Sequence, residues 1–83
     1  MKVLVVEDDR TLAGQIGKAL TEAGYTVELA HDGPTGEFLG ANEEMDAAVL
    51  DVGLPGLDGI EVLKRWREGG ISAPVLILTA RDP

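Results

Sequence analysis

The sequence has no cysteine, one histidine and only three aromatic residues, Tyr25, Phe38 and Trp66. Without cysteine there is no disulfide framework and no thiolate metal site, which fits a reducing compartment such as the cytoplasm. With so few rings, the core has to be built from Val, Leu, Ile and Ala. No apolar run approaches the ~20 residues needed to span a bilayer as a helix. The N-terminus, Met1-Lys2-Val3-Leu4-Val5-Val6-Glu7, turns acidic too soon for a secretory signal. A soluble cytoplasmic protein is therefore expected. Cations are scarce too: 7 Lys and Arg against 15 Asp and Glu leave a net charge of −8. That balance argues against direct nucleic-acid binding and against attraction to an anionic membrane. The 83 residues suffice for one small domain, of a size that buries only about 60% of its unfolded surface.

What is present alternates between two periods. Val3-Leu4-Val5-Val6 is apolar on both faces and β-branched, the pattern of a buried parallel strand. Leu12, Ile16, Ala19, Leu20 and Ala23 recur at helical spacing, which predicts an amphipathic helix over 10–23. Asp9 is its candidate N-cap, and Gly24 suits the left-handed position after its last turn. Gly14 and Gly17 weaken this helix unless a neighbour packs closely on them. Residues 25–30 alternate as a half-exposed strand, with Tyr25, Val27 and Leu29 on one face. His31-Asp32-Gly33-Pro34 is a turn, with His31 expected in solvent. The helix predicted over 35–42 is weakly specified, interrupted by Gly36 and Gly40 and anchored by Phe38 and Leu39. Glu43-Glu44 reads as a solvated face. A strand over 46–50 ends at Asp51. Asp58, as N-cap, opens a helix through Arg67 whose apolar face is Ile60, Leu63 and Trp66, with Val62 and Leu57 at its margin. Gly69-Gly70 stops it. Val75-Leu76-Ile77-Leu78 is the fourth strand. The order β-α-β-α-β-α-β with short connections predicts an α/β fold with a doubly wound parallel sheet.

Acids collect at the strand ends. Glu7 and Asp8 close the first strand and Asp51 closes the third. In strand order 2-1-3-4 those two strands are neighbours flanking the switch point, where ligands bind at the carboxyl edge. Three carboxylates converging there repel one another. A divalent cation removes the conflict, and an all-oxygen ligand set selects Mg²⁺ over Zn²⁺. A carboxylate beside Mg²⁺ can accept a phosphoryl group, giving an aspartyl phosphate. Thr79, at the end of the fourth strand, can place a hydroxyl on a phosphoryl oxygen. The plain alternative is that Glu7, Asp8 and Asp9 serve only the first helix dipole; Asp51 at the paired strand end weighs against it.

Three motifs at matching spacing then identify a family: Val3-Leu4-Val5-Val6-Glu7-Asp8-Asp9, Leu50-Asp51-Val52-Gly53-Leu54-Pro55-Gly56-Leu57-Asp58-Gly59, and Ile77-Leu78-Thr79-Ala80-Arg81. The chain resembles, in register from end to end, the receiver domain of two-component response regulators of the OmpR/PhoB-like class. The resemblance implies a flavodoxin-like (CheY-like) fold over 1–83. It implies Asp51 as phosphoacceptor for a sensor histidine kinase, and Asp8 and Glu7 as Mg²⁺ ligands, joined by Asp51 and the backbone carbonyl of Gly53. Thr79 corresponds to the switch hydroxyl, and Ala80 to the small residue that leaves room for the phosphoryl group. It implies transcription regulation through a DNA-binding domain, and no enzyme in the ordinary sense, because the phosphoryl group stays on the protein.

The family's fifth strand, with its lysine and aromatic switch residue, and its last two helices have no counterpart in 1–83. A chain incomplete at its C-terminus and impaired as a switch is expected. The apolar fourth strand, lacking the charge or proline that usually blunts an edge, predicts a homodimer or domain-swapped oligomer. A non-phosphorylated interaction or assembly module on the same scaffold is the alternative. An aspartyl-nucleophile phosphohydrolase is disfavoured, because Gly53 stands where its general acid would be.

Overall fold

The structure, a computed structural model, describes residues 1–78. Seven elements alternate: β1 (Lys2–Val6), α1 (Arg10–Glu22), β2 (Thr26–Ala30), α2 (Gly33–Asn42), β3 (Ala47–Asp51), α3 (Gly59–Glu68) and β4 (Val75–Leu78). The four strands form one parallel sheet, as the alternation of periods predicts, and their order is β2-β1-β3-β4. Thr79 and Ala80 lie outside the described residues. No helix among the described residues is long and apolar enough to cross a membrane.

The period-two alternation of β1 and β3 divides the core. Val3, Val5 and Val49 face α1, where Ile16, Leu20, Tyr25 and Val27 pack on them. Leu4, Val6, Ala48 and Leu50 face α2 and α3, around the fully buried Val62 and Trp66. Each helix starts on an aspartate cap: Asp9 accepts from the Leu12 amide at 3.0 Å, Asp32 from Thr35 at 2.7 Å and Asp58 from Glu61 at 2.9 Å. Gly24 follows α1 at φ +99°, a conformation that disfavours any side chain.

The glycines of α2 act opposite to the expectation drawn from sequence. Gly33, Gly36 and Gly40 are buried along one face of a helix that starts two residues earlier than expected. A Cβ at Gly36 would meet the Val6 side chain at 2.6 Å, and one at Gly40 would enter the Trp66 ring. The glycines therefore let α2 sit directly on the sheet and on α3. Phe38, expected as an anchor, is 61% exposed, while Leu39 does pack on the core. In α3 the apolar face is likewise turned: Ile60 is 54% exposed and Val62 is fully buried. Gly36 and Gly40 pull α2 inward, so the core facing α3 lies under Val62 and Trp66.

In α1 the two glycines differ. Gly17 is buried, with a Cβ position 3.3 Å from Leu29 Cδ2, whereas nothing stands within 4 Å of a Cβ on Gly14. Gly14→Ala is expected to stabilise the fold by about 0.8 kcal/mol through helix propensity alone. The measurement is the urea midpoint, and Gly17→Ala should gain less. Glu43 and Glu44 are exposed, as expected, and Lys2 Nζ additionally bridges Glu43 at 2.6 Å and Glu28 at 2.9 Å on the surface.

Candidate functional site: an acidic cluster at the switch point

β1 and β3 are adjacent and end on the same edge, so the residues that close them meet. Glu7, Asp8 and Asp51 each present a carboxylate oxygen, and these oxygens lie within 4.8 Å of one another. Glu7 and Asp51 are buried, at 4% and 7% exposure, while Asp8 is open to solvent. The Asp9 amide donates to Glu7 Oε2 at 3.0 Å. Burial pushes the Glu7 carboxyl above its ordinary range; the Asp9 amide opposes this, and the charges of Asp51 and Asp8 add to it. A buried acid pressed between two others fits a divalent cation with oxygen ligands. Glu7, Asp8 and Asp51 are the side chains that can hold one.

The backbone around Asp51 is built for close approach. The Val52 amide continues the ladder to the Leu78 carbonyl at 3.2 Å, and the Gly59 amide donates to the Val52 carbonyl at 2.9 Å. A Cβ on Gly59 would fall on the Asp51 carbonyl. Glycine at the start of α3 thus allows the helix to seat directly behind the acidic residue. Gly53 is exposed, two residues past Asp51. In the intervening loop Gly56 has φ +79°, a left-handed turn that glycine favours.

The structure therefore brings together Glu7, Asp8 and Asp51, which the sequence placed at one edge, with Gly53 close by in the chain. One participant was missed. His31, expected in solvent, is half-buried, with Nδ1 3.0 Å from the Glu7 carbonyl. No spacing rule signals that contact, because it depends on how β2 pairs with β1.

A doubly wound sheet with a Glu-Asp pair on one strand end and an Asp on its neighbour defines a class of signalling domain. The response regulator receiver domain family matches residues 3–83, and the chain belongs to it. It is 48% identical over 82 residues to the response regulator MprA of Mycobacterium avium (strain 104), an alignment covering 99% of this chain and 36% of that protein. The chain thus spans little more than a third of the length of the curated relatives it matches. Among solved structures, the Francisella response regulator 1452 receiver domain superposes with a TM-score of 0.92 at 40% identity, covering 99% of this chain and 68% of that one. The response regulator TrrA of Thermotoga maritima, in complex with Mg²⁺-BeF, gives a TM-score of 0.91 at 28% identity, covering 98% and 70%. The receiver-domain family and the fold implied by the three motifs are thereby established.

Proposed function

We propose that Asp51 accepts a phosphoryl group from the phosphohistidine of a sensor histidine kinase, in a receiver domain that loads Mg²⁺ on Glu7, Asp8, Asp51 and the Gly53 carbonyl. The observation that carries this is the convergence of three carboxylates within 4.8 Å at the edge shared by β1 and β3. The Mg²⁺-BeF complex of TrrA supports the choice of metal. When bound, Mg²⁺ neutralises the crowded carboxylates and the charge on the transferring group. Asp51 does the covalent work: one carboxylate oxygen attacks phosphorus, the P–N bond breaks, and the histidine nitrogen leaves with the electron pair. Glu7, buried and held by the Asp9 amide, keeps a carboxylate oxygen within 4.8 Å of those of Asp8 and Asp51. By the motif they belong to, Thr79 would serve as the switch hydroxyl and Ala80 as the small residue that accommodates the phosphoryl group. The output is transcription regulation in the cytoplasm, through a DNA-binding domain of the kind the OmpR/PhoB-like class carries, and this chain itself contacts no nucleic acid.

Incubation with Mg²⁺ and acetyl phosphate is expected to add one phosphoryl group by intact mass, labile to hydroxylamine and missing from Asp51→Asn. An unmodified wild type, or a modified Asp51→Asn, overturns the proposal and favours a non-phosphorylated interaction module.

The fourth strand supports self-association as a second property. Among the described residues no strand pairs with the outer edge of β4, and Leu76 and Ile77 are 62% and 36% exposed. Leu76 borders an apolar groove of about 420 Å³ with Val3, Leu20, Tyr25 and Val49. An unblunted apolar edge pairs with another copy. Light scattering is expected to show a dimer or larger, and Leu76→Lys a monomer; a folded wild-type monomer would count against the pairing.

A further inference from the structure

The β1–β3 register ends with Val6 opposite Leu50, one residue short of the two buried carboxylates. Regular pairing does not itself hold Glu7 against Asp51, and their charges push them apart. The stretch from the last residue of β2 to the first residue of α2, Ala30 to Gly33, reaches both. The Glu7 amide donates to the Ala30 carbonyl at 2.9 Å. His31 Nδ1 stands 3.0 Å from the Glu7 carbonyl, and because a carbonyl only accepts, the ring carries its proton on Nδ1. Glu7 is thus gripped at both backbone polar groups by consecutive residues. Two residues on, the Gly33 amide donates to the Pro55 carbonyl at 3.2 Å, in the loop that follows Asp51. A Cβ on Gly33 would land on the Leu57 carbonyl, and Pro34 lies 3.2 Å from where a Gly56 Cβ would stand. Four consecutive residues, Ala30 to Gly33, therefore touch the backbone of Glu7 on one side and the loop leaving Asp51 on the other.

We infer that His31 and Gly33 are positioning residues for the divalent-cation site, setting the separation of Glu7 from Asp51 by holding the backbone of Glu7 and of the loop after Asp51. This rests on the reading of the site proposed above. A turn that merely starts α2 would not need these contacts, since Asp32 already caps that helix through the Thr35 amide. The His31 ring and the Gly33–Pro55 bond add nothing to the cap. Their partners are the segments that carry the acids.

Calorimetric titration of the whole chain with MgCl₂ tests this. His31→Leu is expected to weaken Mg²⁺ affinity about tenfold, the scale of losing a group that orients a metal ligand. His31→Asn, whose side-chain amide can donate from near the Nδ1 position, should recover most of that loss. Gly33→Ala should weaken binding by a similar factor. Gly40→Ala disturbs the core at Trp66, away from the turn, and should leave affinity unchanged at a temperature where it is folded. In the metal-free chain, His31→Leu should also speed hydrogen exchange at the Glu7 and Gly33 amides. Wild-type affinity in His31→Leu, no recovery in His31→Asn, or unchanged amide exchange overturns the clamp and leaves the phosphoacceptor reading standing. A wild type that binds no Mg²⁺ instead overturns that reading itself.

Discussion

Trp66→Ala is expected to lower the melting temperature by roughly 20 °C or more, the largest stability effect of any single side-chain truncation in this chain. Trp66 is the largest fully buried side chain. Its ring fills the space that Gly40 leaves open on α2, and its Nε1–H donates to the Glu37 carbonyl at 3.2 Å. Truncation removes the transfer free energy of the indole and leaves a cavity between α2, α3 and the sheet, at a cost of about 3–5 kcal/mol. A domain of this length has total stability of only about 4–12 kcal/mol, and each kcal/mol moves its melting point by about 4–8 °C. The change cannot be absorbed locally, because Gly40 has no side chain to fill the gap. Phe38→Ala removes a ring of comparable size from a site open to solvent, and should shift stability by less than about 0.5 kcal/mol. Thermal melts followed by circular dichroism compare the two. Equal shifts would contradict the packing described.

Glu7→Gln is expected to raise the melting temperature at pH 8 in chelator by roughly 5 °C, and to abolish most of the rise that Mg²⁺ gives the wild type. Burial raises the Glu7 pKa in the folded chain above the ordinary 4.5. The folded state therefore keeps this proton in a pH window where the unfolded chain has already lost it. Stability falls as pH rises through that window and is lowest, for this group, above the raised value. Below 4.5 both states are protonated and the contribution is fully present. Glutamine keeps an oxygen for the Asp9 amide, loses the charge facing Asp51 and Asp8, and should flatten this part of the profile. Relief of like-charge crowding on the order of 1 kcal/mol corresponds to the stated shift. Mg²⁺ acts on the same term from the other side: at a hundredfold excess over its Kd it should stabilise the wild type by about 2.7 kcal/mol. The difference between wild type and Glu7→Gln, measured with and without metal from pH 4 to 8, isolates the group. A wild type that gains stability relative to Glu7→Gln as pH rises in chelator would refute the sign.

Local chemistry made most of the scaffold legible. Asp9 and Asp58, expected as helix caps, are the observed caps, and Asp32, expected only in a turn, is a third. The both-faces-apolar runs at Val3-Leu4-Val5-Val6 and Val75-Leu76-Ile77-Leu78 are strands. Helix α2 was harder. Glycine lowers helix propensity, so Gly36 and Gly40 look like interruptions; spaced four apart, and with Gly33 three before, they form one face of the helix. Their meaning depends on Val6 and Trp66, which are far away in the chain. In α3 the spacing of Ile60, Leu63 and Trp66 satisfies a helical period as well as Val62 with Trp66 does. Which set is buried is a matter of how α2 and α3 meet.

The acids at the strand ends and the parallel order of the strands follow from the chain's own pattern, because apolar periodicity and turn residues act between near neighbours. That pattern alone places Glu7, Asp8 and Asp51 on one edge. Their separation, the burial of two of the three and the hold of His31 on the Glu7 carbonyl come from the packed fold. Those depend on contacts between residues dozens of positions apart, where a backbone carbonyl, a missing Cβ or an imidazole nitrogen has meaning only once the turn of another strand has been brought against it.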